Sequence, residues 1–173
     1  MRVRHITLGA VLTAFALLIP LTFGFLRITI PPFFTATLAS HVPSMLAMFI
    51  SPTVAGVVGL GSAIGFFVTV SPVVGLRAAI HIIWGVAGGL LYRRGLAPLA
   101  VLGLMLPIHA VGEALVVMPF GWSLEKAFIV VGLGTTLHHI MDAFITLLVL
   151  AGLRQANIQL TEPDRGSSVS GTA

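Results

Sequence analysis

Eight ionisable residues of this chain lie within apolar stretches, and six of them fall in pairs at one-turn spacing. Arg77 and His81 lie four apart, as do His109 and Glu113, and as do His138 and Asp142. Residues at i and i+4 share a helix face. His139 adjoins His138, and His41 stands apart in a run of small and apolar residues. A guanidinium in such surroundings needs a carboxylate or another anion. Either Glu113 neutralises Arg77, or a bound anion does, or both do in alternation. The His–carboxylate pairs suit either hydrogen-bond couples that fix helix register or contacts to a polar ligand. They do not form a hydrolytic metal motif of the H-E-x-x-H kind. The adjacent His138 and His139 point to different faces, which argues against their sharing one site. No cysteine is present, so thiolate metal sites, disulfides and a Cys nucleophile are excluded. On this reading the chain holds no metal and no cofactor and is not an enzyme. A phosphate-binding loop is also missing, so the chain has no ATP site of its own.

The elements that carry these residues are apolar throughout. Of 173 residues, 57% are hydrophobic and 8% charged, with a mean hydropathy of +1.10. A soluble domain carries roughly 25% charged residues, so most of the surface must face lipid. The small net charge of +4 speaks for membrane orientation and against nucleic-acid binding. Six spans are expected, giving an all-α integral membrane bundle. They cover about Ile6–Leu26, Thr35–Ile50, Thr53–Val70, Val73–Tyr92, Ala97–Met118 and Leu124–Leu153. Ser51-Pro52 and Ser71-Pro72 each read as a helix stop followed by a helix start. Arg93-Arg94-Gly95 reads as a charged loop with a C-cap glycine, and Ser123 as an N-cap. The domain is expected to occupy 1–154, followed by a polar, disordered tail over 155–173.

Six spans place both termini on one side, with Arg2, Arg4, Arg93, Arg94, Arg154 and Arg165. Arg27 and Lys126 lie on the other. Positive charge marks the cytoplasm, so both termini are expected there. The polar residues then open outward. His41 and Arg77 lie near the outer ends of their spans, with His81 a turn deeper. Glu113 is outer, His109 more central, and His138 and Asp142 are near mid-membrane. Arg27 and the Thr29–Thr37 loop are placed to cover them. Trp84, Phe66, Phe67 and Phe144 are the candidates for an aromatic wall. A small-xxx-small face at Ala10 and Ala14 suits close helix packing, either internal or with a partner helix.

These residues resemble the substrate-binding S-components of energy-coupling factor (ECF) vitamin transporters. Ala10-xxx-Ala14 is similar to the family's helix-one docking motif in position and membrane side. The stretch from Phe34 through His41 to Pro52 looks like the subgroup associated with small carboxylated vitamins. Gly65-Phe66-Phe67, Arg77-Ala78-xxx-His81, His109-xxx-Glu113 and Gly132-xxx-Gly134-Thr135-xxx-xxx-His138 continue the likeness. It covers about Leu8 to Leu153. The resemblance implies a six-helix capture subunit for a vitamin, niacin first and pantothenate second. It implies docking, through Ala10 and Ala14, on a transmembrane coupling subunit driven by two ABC-type ATPases. The expected substrate contacts are His41, Arg77, His81, Trp84, His109, Glu113, His138 and Asp142. A self-contained secondary transporter or channel is the competing reading, and a haem- or metal-binding membrane enzyme a more distant one.

Overall fold

A computed structural model describes residues 3–31 and 34–160. Arg2, Arg165 and the tail beyond 160, which entered the reading of charge and disorder, lie outside the described residues. The chain forms an α-helical membrane bundle with one short β-hairpin. Helix α1 spans Val3–Thr22. A 3₁₀ turn at Gly24–Leu26 leads into strands β1, Arg27–Ile30, and β2, Phe34–Thr37. Then follow α2, Val42–Met48, α3, Pro52–Thr69, α4, Pro72–Arg93, and α5, Pro98–Val117. The last helix, α6, runs Leu124–Gln155 and contains a wide π-helical stretch at Ala127–Gly132.

The helix ends follow the local chemistry. Ser51 Oγ accepts from the amide of Val54 at 3.1 Å and Ser71 Oγ from that of Val74 at 3.3 Å. In each case proline fills the first helical position, where no amide is needed. Ser123 caps α6 by accepting from the amide of Lys126. Gly95 ends α4 at φ +91°, a conformation open to glycine.

Five of these helices, α1 and α3 to α6, are long and apolar enough to cross a membrane. The expected second span, Thr35–Ile50, is not one of them. Its first part is β2, paired antiparallel with β1 from Arg27↔Thr37 to Ile30↔Phe34. Its second part is α2, only seven residues long and almost entirely buried. Pro43 and the β-branched and small residues around it leave no uninterrupted helical run. The first span also ends earlier than expected, at Thr22, because the chain turns into the 3₁₀ segment and hairpin. At the other end α6 extends to Gln155, and the following residues turn back. The Arg4 guanidinium donates to the carbonyl of Gln159, so the described ends meet on one face of the bundle.

The packing fixes the direction of each element. Gly9 faces Val54, Gly61 faces Thr13 and Gly65 faces Leu17, so α1 and α3 run parallel. The chain between them must therefore return through the bundle, which it does as β2, a tight turn and α2. Helix α4 runs antiparallel to α3. Their backbones nearly touch where a Cβ on Gly59 would lie 2.9 Å from the carbonyl carbon of His81. Glycine at that position is what lets α4 carry His81 into the centre. Two apolar clusters sandwich this centre. One gathers Met45, Met48, Phe49, Val58, Trp84 and Leu102, and the other Phe34, Val73, Val117, Trp122 and Val131. The outward faces are dominated by large apolar side chains such as Leu60, Ile64, Leu104, Leu137 and Phe144, as a lipid-facing surface requires.

Candidate functional site

Between the two apolar clusters, His41 at the start of α2, Arg77 and His81 of α4, His109 and Glu113 of α5, and His138, His139 and Asp142 of α6 meet in one contiguous polar core. All are buried there, apart from the half-buried His138. Two carboxylates organise it.

Glu113 on α5 is the first. Its Oε2 accepts from Arg77 Nε at 3.2 Å and from a terminal nitrogen of the same guanidinium at 2.5 Å. The same oxygen accepts from Thr135 Oγ1 at 2.7 Å. Its Oε1 lies 3.2 Å from His109 Nε2 and 3.6 Å from His81 Nε2. One carboxylate thus links α4, α5 and α6. The His109 ring continues inward: its Nδ1 lies 3.0 Å from His139 Nδ1, and His139 Nε2 lies 3.0 Å from the Leu102 carbonyl oxygen. Phe34 of β2 stacks over the Arg77 guanidinium, 5.2 Å from ring centroid to Cζ. Gly134 leaves the space that this ring fills.

Asp142 on α6 is the second. Its Oδ1 accepts from the amide of Ala39 at 2.7 Å and its Oδ2 from the amide of His41 at 2.8 Å. His138 Nε2 lies 3.1 Å from Oδ2 and 2.9 Å from the Thr37 carbonyl oxygen, which it reaches as a donor. Ala39 sits at φ +68°, in the left-handed region that a side chain disfavours. Asp142 therefore holds the strained turn between β2 and α2 in place.

Between the hairpin and the polar core lies a small cavity of about 50 Å³. His41, Arg77, His81, Glu113 and His138 line its inner wall. Arg27, Thr35, Thr37 and Phe66 line the rest. The hairpin and Arg27 thus cover the polar residues, in the place expected for the Thr29–Thr37 loop. Trp84, His109 and Asp142 do not line the cavity. Trp84 is completely buried beneath the His41, His81 and His109 rings. The expected aromatic wall is only partly present. Phe67 and Phe144 point outward and are half or more exposed, because each lies on the lipid-facing side of its helix. Phe34, over Arg77, takes that place instead.

The expected substrate contacts left out His139, Thr135 and Ser40. His138 and His139 do leave α6 in different directions, but both flank the inward face. Asp142 lies four residues from one and three from the other, so each reaches the polar core from its own side. The buried stripe Thr135, His139, Asp142, Thr146 and Leu150 is the signal that identifies His139 and Thr135 as interior. Ser40 Oγ approaches His138 Nε2 at 3.5 Å through the fold of the turn, which no helical periodicity encodes. Ala10 and Ala14 lie on the exposed side of α1, away from the face that packs on α3.

No family model matches the chain, and no solved structure does. Among curated proteins it is similar to the niacin transporter NiaX of Lactococcus lactis subsp. cremoris, with 42% identity over 82 residues. That match covers 47% of this chain and 36% of the relative, so the chain spans about a third of the length of the protein it matches. The chain is a multi-pass membrane protein similar over nearly half its length to a niacin transporter, in line with the resemblance to vitamin-capturing S-components read from its own residues.

Proposed function

We propose that this chain is the capture subunit of an ATP-driven ECF-type importer, taking up nicotinate from outside the cell. One observation carries the reading: the buried Arg77–Glu113 pair forms part of the wall of a cavity roofed by a hairpin of two four-residue strands, in a chain similar to a niacin transporter. A guanidinium binds a carboxylate through parallel N–H donors. The carboxylate of the vitamin takes over Arg77 from Glu113, and Glu113 keeps Thr135 and His109 as partners. Glu113, left without the guanidinium, takes up a proton and shares it with His109, so that no charge stays unpaired in a low-dielectric interior. The cavity is small, which favours a flat ring with one acid group over the longer pantothenate, the second candidate. Phe66 supplies an apolar face for the ring, and Phe34 holds the guanidinium from the other side.

Energy for release must come from a partner, since the chain has no phosphate-binding loop. The exposed face of α1 carrying Ala10 and Ala14 is the docking surface for a coupling subunit with two ABC-type ATPases. Small residues let a partner helix approach closely. The end of the bundle bearing Arg4, Arg93, Arg94 and Arg154 faces the cytoplasm of a prokaryotic cell.

The reading is tested by mass spectrometry of small molecules released from the purified protein, together with uptake by cells. Nicotinate is the expected ligand, and Arg77→Ala abolishes its retention. Ala10→Trp leaves binding intact and blocks uptake. Release of an unrelated neutral compound, or full retention by Arg77→Ala, contradicts the assignment.

A further inference from the structure

We propose that His41, His81, His109 and Glu113 form a site for one divalent transition-metal ion of the zinc class, on the inner side of the cavity. The inference rests on donor geometry and not on the identity of the vitamin. Each of the four residues offers one ligating atom, and these atoms all lie within 4.8 Å of one another. All four side chains are more than nine-tenths buried. The three imidazoles stand nearly perpendicular to one another, at 84–85°, with centroids 4.7, 4.7 and 5.2 Å apart. Rings that share an ion fan out in this way, as do rings packed edge to face; the convergence of their ligating atoms on one carboxylate oxygen is what points to an ion. A tetrahedral ion with bonds of about 2.0–2.1 Å sets its donors about 3.4 Å apart. The farthest pair therefore closes by at most about 1.4 Å on binding, within the reach of side-chain rotation.

The protons of the cluster point the same way. His139 Nε2 faces the Leu102 carbonyl and must carry hydrogen. In a neutral ring His139 Nδ1 is then bare, so His109 Nδ1 carries the hydrogen between them. His109 Nε2 is left with a lone pair, 3.2 Å from Glu113 Oε1. Two acceptors facing each other require a cation between or beside them. Arg77 and Thr135 occupy the other oxygen of Glu113, leaving Oε1 directed at the histidines. His81 is buried with neither ring nitrogen hydrogen-bonded among the described residues, although each such group ordinarily has a partner. The chain from His109 through His139 to a backbone carbonyl is the support that orients a metal-bound imidazole. Three nitrogens and one carboxylate oxygen select zinc, cobalt or nickel over magnesium or calcium.

A second group, His41, His138 and Asp142, also converges. Both oxygens of Asp142 already accept backbone amides, so this group is the built-in control. The experiment strips purified protein in detergent with a chelator, reloads it with Zn²⁺ or Co²⁺, removes free ion and measures bound metal. One ion per chain is expected for the unaltered protein, with the intense visible bands of a tetrahedral cobalt site. His81→Phe, which keeps an aromatic ring and removes the donors, loses the ion. His139→Ala weakens it by about 10–100-fold, and His138→Ala retains it. The oligomeric state and melting temperature of each metal-free variant establish that it is folded. No stoichiometric metal in the unaltered protein means that a proton fills the gap, and overturns the proposal. So does full retention by His81→Phe. Arg77→Ala separates the two readings, since the loss of nicotinate with retention of metal leaves each claim standing on its own test.

Discussion

Glu113 and Asp142 both sit one turn from a histidine, on helices that face the same polar core, yet they do different work. Asp142 spends both oxygens on the backbone, at Ala39 and His41. It fixes a turn. Among the described residues, Glu113 accepts from no backbone amide. Its partners are the side chains of Arg77, Thr135 and His109, with the unbonded ring of His81 beyond. Side-chain partners can be exchanged for a ligand without unfolding anything, while backbone partners cannot. The same i,i+4 pattern therefore marks a carboxylate bound to backbone in one helix and a carboxylate held by side chains in another.

The comparison is broken most severely at the clamp. Asp142→Ala leaves two buried amides without acceptors and frees the strained Ala39 turn. It should cost on the order of 4 kcal/mol, read as loss of monodisperse protein or a large drop in melting temperature. At the other centre, Arg77→Met with Glu113→Gln removes both charges at once. A buried ion pair replaced as a unit is close to neutral for folding. This variant should stay within about 1 kcal/mol of the parent in stability and bind nicotinate at least about 100-fold more weakly. If it instead fails to fold, Glu113 is a clamp like Asp142. Gly59→Ala comes next. Its new methyl group meets the backbone of His81 and Ile82 at 3.0 Å or less. Forcing α3 and α4 apart should cost about 1–3 kcal/mol and displace His81 from the core. The smallest effect sharpens the role of the turn. Ala39→Gly relieves the positive φ, so stability should rise by under about 1 kcal/mol, with ligand binding unchanged.

The long helices and their caps were legible because each signal is local. Ser-Pro at 51–52 and 71–72, Gly95 and Ser123 act within one turn of themselves. The second span was misread because hydropathy reports burial, not helicity. The Thr35–Ile50 segment is apolar since it is packed inside the bundle as a strand and a half-length helix. The pairs at 77 and 81, 109 and 113, and 138 and 142 were legible as one-face spacings, and they do converge. What spacing cannot say is which neighbour each residue meets. That Asp142 reaches the amides of Ala39 and His41, a hundred residues away, depends on α2 lying parallel to α6. That Phe34 and not Phe67 or Phe144 faces Arg77 depends on the hairpin folding over the cavity.

The most direct test of the capture reading is equilibrium binding of labelled ligands to the purified chain, comparing nicotinate with nicotinamide. The two share a ring and differ in the charge that Arg77 would meet. Binding of nicotinate, with nicotinamide weaker by about 100-fold or more, is the predicted result. Equal affinity for the two, or binding of neither, would contradict an anion-exchange pocket built on Arg77 and Glu113.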